Sequence, residues 1–130
     1  MATNLDALCA RCAQAIVRRS GPTRNKELEG RLNNALGVLQ EDGFYAFYLF
    51  LKYKKLDQAS GGEREGWPVW QELAGLLGDE KVGAPLTGSG EAAVVSMTED
   101  LQRLLLAKQL AERTLIYARY GLRSLPKEGQ

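Results

Sequence analysis

Histidine is absent from this 130-residue chain. Without it no Ser-His-Asp or Cys-His nucleophile system, no HExxH zinc site and no imidazole general base can be assembled. Cysteine is scarce: Cys9 and Cys12 form a single C-x-x-C. A structural zinc site needs four ligands, and no second cysteine pair or histidine completes one. A redox pair normally opens a helix at the end of a strand. These two instead lie on the apolar set Leu5, Leu8, Cys9, Cys12 and Ile16, spaced i, i+3, i+4, i+7 and i+11, so they read as small core thiols. No metal or other cofactor is expected. No basic stretch leads into an apolar run at the N-terminus, so no signal peptide is expected. The longest apolar run, Phe44–Leu51, has eight residues, against about 20 for a membrane span. A soluble, cytoplasmic protein without a membrane partner is the expectation.

Net charge is also nearly absent, with 17 basic and 16 acidic side chains giving +1. A strongly basic pI, the simplest sign of a nucleic-acid partner, is therefore missing. The near-zero total hides three blocks. Residues 1–55 carry nine basic and five acidic side chains, residues 56–102 two and nine, and residues 103–130 six and two, for nets of +4, −7 and +4. Such asymmetry suits distinct partners on distinct surfaces, or solvated faces that simply differ in composition.

What is present is helical patterning. Thr3-x-x-Asp6 resembles a capping box, opening a helix to about Arg19 that Ser20-Gly21-Pro22 ends. Thr23 is placed to cap a second helix with Leu28, Leu32, Ala35, Leu36 and Leu39 on its apolar face. Gly30 and Gly37 each cost that helix about 1 kcal/mol relative to alanine, so they are expected to mark close approach by a neighbour. Phe44–Tyr53 holds six of the ten aromatic residues. Aromatic content favours a strand, but the segment continues to Ala59 without alternation or a turn residue, and that length favours a helix buried around most of its circumference. Residues 60–66 read as a polar loop. Pro68 suits the first turn of a helix bearing Val69, Trp70, Leu73, Leu76 and Leu77, with Gly78 ending it. Residues 78–96 are Gly-rich, contain Pro85, and are expected to be a mobile loop. Thr98, Glu99 and Asp100 open a long helix to about Arg123, with leucine, isoleucine and tyrosine around nearly all of it. Residues 124–130 are expected to fray. The fold expected is all-α: one domain over 1–130, a bundle of about five helices with a long central C-terminal helix.

No enzyme is expected. Glu41/Asp42, Asp79/Glu80 and Glu99/Asp100 are sequence neighbours at helix ends or loops, whereas acid–base chemistry needs carboxyls converging from different elements. Gly61-Gly62 and Gly88-Ser89-Gly90 lack the strand, helix and Lys-Ser/Thr of a phosphate loop. Basic residues offer more. Tyr48, Lys52 and Lys55 share a face at i, i+4 and i+7. Lys108, Glu112, Arg119 and Arg123 lie within about 60° of one another on the last helix. Arg18, Arg19, Arg24 and Lys26 surround the first turn. Mobile cations along a groove bind phosphates, and aromatic rings stack on bases. The competing reading is a solvated face with ion pairs such as Lys108–Glu112. Trp67, Trp70 and the leucine-rich last helix read as core or as a partner surface.

Gly43-Phe44-x-x-Phe47-Tyr48-Leu49-Phe50-Leu51-Lys52, with Leu115-Ile116-Tyr117-Ala118-Arg119-Tyr120 before Leu122-Arg123, resembles the small helical subunit of type III-B CRISPR effectors, the Cmr complexes. The type III-A small subunit is a near neighbour. Tyr120 stands where that family has tryptophan, and Gly121 where it has a bulkier apolar residue. The resemblance implies a non-catalytic structural subunit of an antiviral RNA-guided complex. It would stack with copies of itself and with other subunits, and lie beside guide and target RNA. It carries basic contacts to Lys52, Lys55, Arg119 and Arg123. Arg18, Arg19, Arg24, Lys26 and Lys108 join that RNA-binding set on the charge pattern. The alternative is a helical adaptor or regulator with no nucleic-acid contact. A small DNA-binding regulator ranks last, because the leucine-rich second helix offers few base-reading side chains.

Overall fold

The structure, a computed structural model, describes the backbone of residues 4–56 and 66–127 and the side chains of 4–52 and 69–127. Over these residues the chain is all-helical: α1 (Leu5–Arg19), α2 (Lys26–Asp42), α3 (Phe44–Leu56), α4 (Gly66–Leu77), a 3-10 turn (Glu80–Val82), α5 (Glu91–Thr98) and α6 (Leu101–Arg123). No helix among them is long and apolar enough to cross a membrane. Residues 60–65 of the expected loop, residues 128–130, and the side chains of Lys55 and Trp67 lie outside the described residues.

Amide and carboxylate caps start α1, α2 and α6. Asn4 Oδ1 accepts from Ala7 N–H, Asn25 Oδ1 from Leu28 N–H and Asp100 Oδ1 from Arg103 N–H, at 3.0, 3.0 and 3.2 Å. Each satisfies an amide that the first helical turn leaves without a partner. The expected caps Thr23 and Thr98 sit two residues early. Thr98 belongs to the last turn of α5, where its hydroxyl donates to the Val95 carbonyl. That local bond removes it from capping duty.

The helix count exceeds expectation because residues 78–96 are more regular than their composition suggests. Asp79 caps the 3-10 turn through Lys81 N–H. Val82, Pro85 and Leu86 are buried, and Leu86 N–H donates to Leu77 O at 3.1 Å. Arg103 Nε donates to the Pro85 carbonyl at 2.8 Å. α5 then buries Val94 and Met97. Burying each such aliphatic side chain contributes about 1.5–3 kcal/mol, which offsets the entropy of ordering a Gly-rich segment.

α3 is one-sided rather than enclosed. Phe44, Phe47, Tyr48 and Leu51 face the core at i, i+3, i+4 and i+7, while Tyr45 and Leu49 face solvent. Trp70 of α4 fills the centre, its ring edge-on to Tyr48 at 4.9 Å and to Phe44 at 6.1 Å between centroids. Its indole N–H donates to the Ser89 carbonyl, so the polar atom of this buried ring is satisfied. Trp70 is core, and no partner surface forms from it.

α6 lies at the centre, packed on α1 and α2 with further contacts to α3, α4 and α5. Contacts advance together along α1 and α6, from Cys9 with Leu110 to Val17 with Gly121, so the two helices run parallel. Ala107, Ala111 and Ala118 are fully buried on α6. A Cβ at Gly121 would stand 2.9 Å from Val17 Cγ2. The close-approach glycine is therefore Gly121. Gly30 and Gly37, expected in that role, have nothing within 4 Å of such a Cβ. Both cysteines are free and buried in this packing. Burial pushes the Cys12 thiol up to about 12 and raises Cys9 as well, which makes both inert thiols.

Candidate nucleic-acid interface

Two stretches far apart in sequence meet at one end of the molecule: the α1–α2 connection and the end of α6. Glu29 joins them. Its side chain is 10% exposed and accepts from Arg24 Nε at 2.7 Å and Arg24 Nη2 at 3.1 Å. Arg123 Nε stands 3.4 Å from the same carboxylate. The Arg24 hydrogen bonds, helped by Arg123, hold the Glu29 carboxyl below the usual carboxylate range, outweighing its desolvation. The Arg24 backbone N–H donates to Pro126 O at 2.9 Å, and Leu125 packs against the core. Residues 124–127, expected to fray, are thus tied down.

This arrangement sorts the expected RNA-binding residues. Arg24 and Arg123 spend their guanidinium groups on Glu29, and Arg123 remains about half exposed. Arg119 Nη1 donates to Asn33 Oδ1 of α2, and its guanidinium lies 5.6 Å from the Tyr120 ring centroid. Arg19 pairs with Glu72 at 3.2 Å and with Gln71 at 3.0 Å on α4. Arg18 and Lys26 are exposed. Lys52 is exposed on α3 and Lys108 half-buried in the middle of α6; no contact brings either to the α1–α2 end. Tyr48, which shares its helical face with Lys52, is buried against Trp70 and is not available for base stacking.

One cation was missed by the sequence reading. Lys127 joins Ser20, Thr23, Arg24, Asn25 and Lys26 around an open hollow of about 540 Å³. Among the described residues, no acidic side chain lines it. Glu27, next to Lys26 in sequence, accepts from Arg31 Nη2 at 2.8 Å. A neighbouring groove of about 570 Å³ includes Arg18, Gln14, Tyr117, Gly121 and Ser124. Lysines at such an end attract anions as mobile, strongly hydrated charges, whereas arginines committed to Glu29 set the shape. Lys127 is placed there by the bond from Arg24 N–H to Pro126 O, a tertiary contact that no sequence signal marks.

The carboxylate drawn into the cluster is neutralised by two guanidinium groups, which leaves it a poor proton acceptor. Among the described residues, no group of three or more His, Cys, Asp or Glu side chains is placed to hold a metal ion. No protein-family model, curated protein or solved structure matches the chain.

Proposed function

We propose that the protein is a non-catalytic structural subunit of an RNA-guided effector complex of the type III-B kind, contacting guide and target RNA through the cationic end that carries Arg18, Lys26 and Lys127, its shape set by Arg24 and Arg123 on Glu29. The observation that supports this reading is that Lys26, at the start of α2, and Lys127, in the tail, meet at one hollow that no acidic side chain lines among the described residues. Exposed cations on a rigid helical frame neutralise backbone phosphates without reading sequence. Binding that is weak per copy gains strength when several copies sit along one strand. Lys52 and Lys108 belong to the same proposal as contacts away from this end, and Lys55 joins them on the resemblance.

The test is RNA binding across a salt series, with a labelled oligoribonucleotide and anisotropy as readout. Each phosphate contact adds about 0.7 to the slope of log K against log salt for a single strand. Replacing Lys26 and Lys127 together by glutamate is expected to weaken binding and flatten the slope by about 1.4. An unchanged slope, or no wild-type binding at low salt, overturns the proposal. A second reading, a helical adaptor without RNA contact, draws on Leu101 and Leu105, which are 67% and 51% exposed one turn apart on α6.

A further inference from the structure

Two lysines at one hollow, beside an arginine already paired with Glu29, differ from cations spaced along a groove. A strand passing over a surface offers phosphodiesters of single charge at intervals, and is best met by a row of separated lysines or arginines. A terminal phosphate monoester offers about −1.5 to −2 charges and three acceptor oxygens at one point. Arg24, Lys26 and Lys127 bound one hollow of about 540 Å³, together with the exposed Thr23 hydroxyl. Two Arg24 nitrogens are fixed on Glu29, so this guanidinium is held in place before any ligand arrives. Ser20 is no donor here, because its hydroxyl already donates to the Val17 carbonyl. The α2 N-terminus is not the source of attraction either, since Asn25 Oδ1 already takes the Leu28 N–H.

We infer that this hollow binds a terminal phosphate monoester, the 5′-phosphate at the end of an RNA strand. The inference rests on the RNA-contacting reading above and adds a preference for one end of the strand. Lys26 and Lys127 supply mobile ammonium groups to the phosphate oxygens, and the Thr23 hydroxyl supplies a neutral donor. Arg24 fixes the floor of the hollow through Glu29 and ties it to the tail through its bond to Pro126 O.

The experiment compares one short oligoribonucleotide carrying either a 5′-phosphate or a 5′-hydroxyl, labelled at the 3′ end, on the full chain. The phosphorylated strand is expected to bind about tenfold more tightly, as charge-assisted bonds to a dianion imply. The K26Q/K127Q double variant, altered only at exposed side chains, is expected to keep the wild-type Tm and lose the preference. Equal affinity of the two strands overturns this inference and leaves the proposed function standing. Should neither strand bind, the proposed function fails, and a nucleoside 5′-monophosphate decides the hollow. Saturable NMR shifts at residues 23–26 and 127 with the monophosphate, absent with the nucleoside, support a monoester site. Absence of those shifts overturns it, as does inorganic phosphate binding as tightly as the monophosphate, which would identify a free-phosphate site.

Discussion

The two halves of α6 have similar apolar content and different fates. In the first half Leu101 and Leu105 are exposed and Leu104 and Leu106 only half-buried, before Ala107, Leu110 and Ala111 turn inward. In the second half Leu115 and Leu122 are buried and Ala118 is fully enclosed, with Tyr120 the exposed exception. The difference lies in the neighbours. α1 runs parallel to α6 from Cys9 beside Leu110 to Val17 beside Gly121, and small residues let the two backbones approach. Along the first half, Arg103 reaches the Pro85 carbonyl of an irregular connection. Charge follows the same division. Glu99 and Asp100 stand at the start of the helix and Arg119 and Arg123 near its end, which complements the helix dipole. Hydrophobicity along a helix therefore does not by itself decide burial; the partner helix does.

The sharpest way to break this comparison is Leu122→Ala. Leu122 is fully buried, and emptying such a site costs about 2–5 kcal/mol through lost transfer energy and a residual cavity. Urea or thermal unfolding is expected to show that loss with an unchanged m-value. A loss below 1 kcal/mol, roughly the scale of a surface change, would mean that the second half is not enclosed as described.

Glu29→Gln probes the charged end of the same half and is expected to destabilise less than Leu122→Ala. The folded Glu29 carboxyl lies below its ordinary value. Its contribution is therefore fully present above the unfolded value of about 4.3 and is lost as pH falls through the lower folded value. Wild type and E29Q should differ in Tm at neutral pH and converge in acid. A gap that stays constant from pH 7 down to about pH 2 would show that the carboxylate charge is not what joins Arg24 to Arg123.

Much of this architecture was legible in the sequence, and its failures have physical causes. The 3.6-residue periodicity of Leu28, Leu32, Ala35 and Leu39, and of Cys9, Cys12 and Ile16, was sufficient for all-α packing and buried thiols. The turn at Ser20-Gly21-Pro22 falls where expected. Helix starts were readable only to within two residues, because Thr23 and Asn25 carry the same capping chemistry. α5 was invisible: a Gly-rich approach masks an eight-residue helix too short to show a clear period. Gly121 could not be told from Gly30 and Gly37, since close approach depends on Val17, which lies far away in sequence. The cationic end had the same difficulty. Composition placed basic residues in both terminal blocks, but pairing of Arg24 and Arg123 with one carboxylate is a tertiary fact. So is the arrival of Lys127 beside Lys26.

Leu101→Gln with Leu105→Gln is the gentlest test, and it returns to the exposed half of α6. Both leucines project into solvent in the isolated chain, so replacing them should change stability by no more than about 0.5 kcal/mol each. Glutamine has nearly the helix propensity of leucine, so the helix itself is little affected. Exposed leucines one turn apart make a small apolar strip, and strips of this kind carry weight when a partner covers them. The monomer's unfolding curve and its RNA salt slope should therefore both stay put. If the double variant unfolds several degrees lower at high protein concentration but not at low concentration, this half of α6 is covered by a second copy. The contrast between the halves would then be one between a surface buried within the chain and one buried on assembly.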